Sequence, residues 1–231
     1  MRTYRLEIRL IQVASALALL VVIFGFMGLW GHGSKSPAET EAATPPKAAN
    51  LTPKPSNPEI VALGDSFTLG YPLDAKHSWT QRLSDDLDVP VINKGKGRQT
   101  AKDLLARFDS DVVAEKPGRV IIFSGIGDAL QGVPLKDVET NIQAMVEKAQ
   151  ANHIIPILAL PFRYPGYEKE IQEIRTWEQG YALQNKITTL DFASVLFDSQ
   201  GKYLSGLSDD GKYPNAQGYQ VMGDYAAGVL K

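Results

Sequence analysis

The chain has 231 residues, of which 44% are hydrophobic, 22% charged and 9% aromatic. These proportions are those of a folded globular protein and exclude wholesale disorder. A net charge of −2 excludes a strongly basic nucleic-acid binder, and the absence of Cys excludes disulfides, thiolate metal sites and a Cys nucleophile. The three His residues leave little from which to build a metal site, so neither a metal nor another cofactor is expected.

The first element in chain order is a membrane segment. Leu10 to Trp30 is apolar apart from Gln12 and Ser15. As a helix, this run of 21 residues would span about 31 Å, the thickness of a bilayer core. Arg2, Arg5 and Arg9 precede it, while His32, Lys35, Glu39 and Glu41 follow. The asymmetry predicts a cytoplasmic tail at 1–9, a single-pass signal anchor at 10–30 and an extracytoplasmic remainder at the cell membrane. A cleaved secretory signal, with release of the domain, is the alternative. Phe24, Phe26, Met27, Leu29 and Trp30 stand where its small-residue cleavage site would be. Residues 31–57 contain Pro37, Pro45, Pro46, Pro53 and Pro55 with no periodic apolar face, which predicts an extended linker.

From residue 58 to 231 apolar runs alternate with helical patterns. Strands are predicted at Glu59–Gly64, Val89–Asn93, Arg119–Ser124, Ile154–Leu160 and Ile187–Asp191. Helices are predicted at Ser78–Leu87, at Thr100–Glu115 with Leu104, Leu105, Phe108, Val112 and Val113 on one face, along the stripe Leu135, Val138, Ile142, Met145, Ala149, and at Tyr167–Gln184. A last helix at Asn215–Leu230 turns Tyr219, Met222, Tyr225, Ala226 and Val229 inward. The order implies an α/β fold, a three-layer sandwich around a parallel sheet of about five strands. Ligands bind such sheets at the carboxyl ends of the strands, so the informative loops are 64–77, 93–100, 124–134, 160–167 and 206–215.

Gly64-Asp65-Ser66 sets a Ser on a tight turn at a strand end, a place for a nucleophile, although the same tripeptide is an ordinary turn. Lys94-Gly95-Lys96-Gly97-Arg98-Gln99-Thr100 has the glycines of a phosphate loop without its Gly-Lys-Ser/Thr ending. Gly125-Ile126-Gly127 has two glycines of a dinucleotide fingerprint, but Leu130 stands at the third.

Taken together and in order, these loops resemble the SGNH (GDSL) hydrolase family of serine esterases and lipases. The resemblance covers residues 58–231. It is carried by Gly64-Asp65-Ser66-Phe67-Thr68-Leu69-Gly70-Tyr71, by Val91-Ile92-Asn93 with the Gly-rich loop and Thr100, by Gly125-Ile126-Gly127-Asp128, and by Asp210-Gly211-Lys212-Tyr213-Pro214-Asn215. It implies a flavodoxin-like sheet and a Ser nucleophile at Ser66. A last-block His would be oriented by Asp210, and the oxyanion would be held by the Ser66 N–H, a second-block N–H at Gly97 or Arg98, and a third-block Asn side chain. The Asn position is Gly127, the His position is Tyr213, and Arg98-Gln99-Thr100 stands in the second block's Gly-Asp-Thr frame with Gly97 one place early, so three catalytic positions are altered, two of them clearly. Tyr, with an ordinary pKa near 10, is a poor base at neutral pH. The remaining His residues are poor substitutes, His77 being the nearest candidate, and Lys212 is a second.

Two readings follow. One is a membrane-anchored ester hydrolase with Ser66 as nucleophile, acting slowly on a small ester or acyl compound. The other is a pseudoenzyme that binds an anionic ligand or a protein at the former cleft. Lys94, Lys96, Arg98 and Lys212 are expected to form a cationic rim around Ser66 that would favour an anionic ligand. Restoring both family residues, Gly127→Asn with Tyr213→His, is expected to raise ester hydrolysis at least ~10-fold.

Overall fold

The computed structural model describes residues 57–231. The expected cytoplasmic tail, membrane anchor and nearly all of the expected linker lie outside the described residues. Among the described residues, no helix is long and apolar enough to cross a membrane.

Five strands form one parallel sheet: β1 (Ile60–Gly64), β2 (Val91–Gly95), β3 (Arg119–Phe123), β4 (Ile155–Ala159) and β5 (Thr188–Leu190). Their spatial order is β2-β1-β3-β4-β5. The helices in chain order are α1 (Ser66–Leu69), α2 (Trp79–Leu87), α3 (Ala101–Ala106), α4 (Phe108–Asp111), α5 (Ile126–Leu130), α6 (Leu135–Ala151), α7 (Glu168–Asn185), α8 (Ala193–Leu196) and α9 (Ala216–Leu230). Helix α9 packs against α2, whereas α6 packs against α3 and α7, which gives the three layers. β1, β3 and β4 are almost wholly buried because helices cover both faces, and this is why they read as unbroken apolar runs. β1 and β3 are neighbours from which the chain winds in opposite directions, so the crevice between their carboxyl ends is the switch point of the sheet.

Three predicted elements differ. β2 starts at Val91 and runs on to Gly95, with Lys94 opposite Leu63 and Gly95 opposite Gly64. Pro90, lacking an N–H, contributes only its carbonyl, to Ile60 N. Lys94 is therefore a strand residue. The predicted helix at 100–115 is broken into α3, α4 and a 3₁₀ turn at Val113–Glu115. The break falls at Arg107, whose guanidinium reaches the Gly64 carbonyl at the end of β1. On α9, Tyr219, Met222 and Ala226 are buried as expected, but Val229, in the last turn, is 41% exposed. Gly223 takes part in the buried face instead, since a Cβ there would lie 2.4 Å from the Arg82 Cβ.

Candidate active site

Ser66 is the first residue of α1, a position whose backbone N–H has no acceptor within the helix. Asp65 caps α1 by accepting from Phe67 N at 2.9 Å, and Gly70 ends it at φ 96°. Gly64 must be glycine, because a Cβ there would lie 2.1 Å from Thr68 Oγ1. Burial pushes the Asp65 carboxyl up to about 7, the nearby Asp128 carboxylate adds to this, and the backbone N–H of Phe67 opposes it.

The second loop is fastened to this turn. Lys96 N and the Arg107 guanidinium both donate to the Gly64 carbonyl, at 3.0 Å each. Asn93 Nδ2 donates to the Thr68 carbonyl at 2.7 Å. Arg98 N donates to Ser66 Oγ at 3.1 Å, and Gln131 Nε2 donates to the Arg98 carbonyl at 2.8 Å. The Arg98 peptide is thereby held from both ends. Its φ is 61°, a left-handed conformation that costs a residue with a Cβ about 1–2 kcal/mol. Of the expected second-block donors, the structure brings the Arg98 N–H to Ser66 Oγ. Gly97 lies close as well, its Cβ direction 3.6 Å from that oxygen.

The third loop is tied to the second by Asp128, whose carboxylate accepts from Ala101 N at 2.9 and 3.0 Å and from Gly125 N at 3.2 Å. Burial pushes Asp128 up to about 6, against the pull of these donors. Gly127 is in direct contact with the second loop: a Cβ at this position would lie 2.1 Å from the Gln99 carbonyl oxygen. The expectation that Asn can be restored at 127 is therefore corrected. Backbone of residue 99 occupies the space in which that side chain would begin.

In the last loop, Asp210 Oδ1 accepts from Lys212 N at 2.8 Å and from Tyr213 N at 2.9 Å. Burial alone would raise this carboxyl, but these donors outweigh it and hold it below its ordinary value. Asp210 thus shapes the backbone that presents residue 213. The Tyr213 ring packs on Phe67 at 5.1 Å, on Tyr71 at 4.8 Å and on Tyr164 at 5.7 Å. Burial, followed by the hydrogen bond to the Tyr164 hydroxyl, raises the Tyr213 phenol further above its ordinary value. It is protonated at neutral pH and supplies no base.

Ser66, Arg98, Gly127 and Tyr213 line one cleft of about 510 Å³, with Phe67 and Tyr164 as aromatic wall. Asp65, Ile126, Leu130 and Gln131 complete the lining. The last three and Tyr164 escaped the sequence reading. Leu130 and Gln131 follow Gly127 at helical spacing, which is the signal that could have found them. His77 is not part of the lining. Its Nδ1 is held by Asp74 Oδ1 at 2.7 Å on an exposed turn. His153 lies just before β4, at the amino end of the sheet, as its sequence position implies.

The expected cationic rim is corrected in three of its four members. Lys94 Nζ pairs with Glu115 at 2.7 Å, since its strand directs it to the 3₁₀ turn. Lys96 pairs at 3.2 Å with Asp111, which Arg107 also binds at 2.6 Å. Lys212 is exposed and does not line the cleft, its backbone being drawn toward Asp210. Arg98 alone of the four faces the cleft. No group of three His, Asp or Glu side chains among the described residues could hold a metal ion.

A parallel five-stranded sheet with a capped Ser at the end of its first strand defines the class of fold. The GDSL-like lipase/acylhydrolase family profile matches residues 62–221, and the chain belongs to that family. An arylesterase of Vibrio mimicus is 30% identical over 124 residues, covering 50% of this chain and 60% of the relative. Esterase TesA of Pseudomonas aeruginosa is 30% identical over 106 residues, covering 44% and 53%. The chain thus spans little more than half the length of these esterases. The structure of a G-D-S-L family lipolytic protein from Desulfitobacterium hafniense DCB-2 superposes with a TM-score of 0.75 at 54% identity, covering 75% of this chain and all of that one.

Proposed function

We propose that the protein is a membrane-tethered ester hydrolase of low turnover, with Ser66 as nucleophile and the domain on the extracytoplasmic side. The observation that carries the reading is the setting of Ser66 Oγ: at the end of β1, beside a 510 Å³ cleft, within 3.1 Å of the Arg98 N–H. The N–H groups of Ser66 and Arg98 would receive the developing oxyanion. Loss of a third donor costs about 10²–10³ in rate. The lining contains no His, and Tyr213 stands where a base is needed, so deprotonation of Ser66 would limit the rate further. Arg2, Arg5 and Arg9 ahead of the apolar run 10–30 support the tether and its direction.

The second reading is a ligand-binding protein without turnover. It is favoured by the Gln99 carbonyl filling the Asn space and by the aromatic packing of Tyr213. One experiment separates the two. The full chain and its Ser66→Ala variant are treated with a fluorophosphonate and followed by intact mass. Slow labelling of the wild type alone is the expected result. No labelling of the folded wild type would rule out an activated Ser66 and leave the binding reading.

A further inference from the structure

We infer that Arg98 makes this cleft selective for carbonyl compounds that bear an oxyanion, a carboxylate or a phosphate, beside the carbonyl. The inference rests on the same cleft as the proposed hydrolase and names its ligand class.

Three observations converge on Arg98. The first is its conformation. Among the described residues five other than glycine have positive φ: Asp88, Arg98, Lys116, His153 and Lys186. Asp88, Lys116 and Lys186 cap the ends of helices, and His153 directly follows the cap of α6, where left-handed residues commonly stand. Arg98 ends no helix. It adopts a strained conformation in a loop over Ser66, beside a Gly97 that could have borne it with less strain. The second is rigidity. The Arg98 peptide is fixed on one side by Ser66 Oγ and on the other by Gln131 Nε2. The side chain therefore starts from a defined point next to the nucleophile. The third is charge. The neighbouring cations Lys94, Lys96 and Arg107 each pair with a carboxylate. The exposed Arg98 side chain has no carboxylate or hydrogen-bond partner among the described residues, and the residue is part of the cleft lining.

A guanidinium left unpaired in a cleft is a fork of donors suited to a planar or tetrahedral oxyanion. Phe67, Tyr164 and Tyr213 offer apolar faces for the rest of the ligand, and the lining's one carboxyl, Asp65, is buried and turned to Phe67 N. An acyl compound would then lie with its carbonyl at the N–H groups of Ser66 and Arg98 and its anionic group on the Arg98 side chain.

Calorimetry on the full chain in neutral detergent tests this with ketones, which bind without turnover. The probes are 4-oxopentanoate with its neutral amide, and acetonylphosphonate with its neutral dimethyl ester. At least one anionic probe is expected to bind about tenfold or more tightly than its neutral partner, with a preference that falls as salt is added. Arg98→Asn keeps the backbone N–H and tolerates positive φ, and it should abolish the preference. Arg98→Lys should retain part of it. Which probe is preferred distinguishes a carboxylate from a phosphate. Equal binding within both pairs, a preference that survives in Arg98→Asn, or no binding of either anion at about 10 mM would overturn the inference. Because binding needs no reaction, failure to label Ser66 with the anion preference intact would remove the hydrolase reading and leave this one standing.

Discussion

Glu178 is fully buried on α7, and neither of its carboxyl oxygens has a hydrogen-bond partner among the described residues. Burial is the main reason that its pKa stands well above the ordinary carboxyl value, and the Asp128 carboxylate adds to this against the attraction of Arg175. The folded state therefore keeps a proton that the unfolded chain releases as the pH passes 4.5. Below that pH the group costs nothing. Above it, stability falls with rising pH until the folded-state value is reached, at about 1.4 kcal/mol per unit for one proton. Glu178→Gln removes this proton from the linkage. Between pH 5 and 7 the variant should therefore gain stability relative to wild type as the pH rises, with a slope of at most about 1.4 kcal/mol per unit. Its absolute stability at pH 5 is a poorer test, because the amide adds a buried donor worth a loss of about 1–3 kcal/mol if unpaired. Asp65 and Asp128, raised to about 7 and about 6, add slopes of the same sign that the substitution leaves in place. Equilibrium urea unfolding at half-unit steps of pH, followed by fluorescence, measures the difference. Parallel pH profiles for wild type and Glu178→Gln would show that Glu178 is ionised in the fold and would refute the reasoning.

Gly127→Asn should destabilise the fold by about 1–3 kcal/mol through overpacking against the Gln99 carbonyl, and should not raise p-nitrophenyl acetate hydrolysis. A tenfold gain in the stably folded variant would show that the second loop moves aside. Tyr213→His alone should raise the same rate roughly 10-fold or more, since a base contributes about 10²–10⁴ when well placed. An unchanged rate would mean that Asp210, occupied by the backbone N–H groups of 212 and 213, cannot orient an imidazole there. Protease added outside intact or outer-membrane-permeabilised cells should release a domain starting between residues 34 and 57. Protection of the domain would place it in the cytoplasm.

The alternation of apolar runs with helical patterns was enough to expect the sheet, most plainly at β1, β3 and β4, which are buried on both faces. The fate of the cations was not visible in the same way. Lys94 and Lys96 stand two residues apart in a Gly-rich segment, and nothing local says that Glu115 and Asp111 wait for them across the break at Arg107. The role of Arg107 was hidden for the same reason. It looks like one polar position of a single helix, yet it ends α3 and joins Gly64 to Gln99. Glu178 was not singled out either, although its spacing carried a signal. It falls on the stripe Ile171, Ile174, Ala182 at spacings of four from its neighbours on either side, so the helix that buries them buries it too. The cost of that burial, however, depends on Asp128 and Arg175.

The altered loops make structural sense only together. With a side chain at 127, the Gln99 carbonyl could not lie where it does. Because Gly127 leaves the space open, the second loop settles against α5. Gln131, one helical turn beyond Gly127, then takes the Arg98 carbonyl, and the Arg98 N–H meets Ser66 Oγ. The bare backbone at 127 and the position of Arg98 beside Ser66 thus depend on each other. A site that was merely decaying would give no reason for Gln131 and Ser66 to hold the two ends of one strained peptide. The arrangement seen gives such a reason: it keeps a backbone donor at Ser66 Oγ.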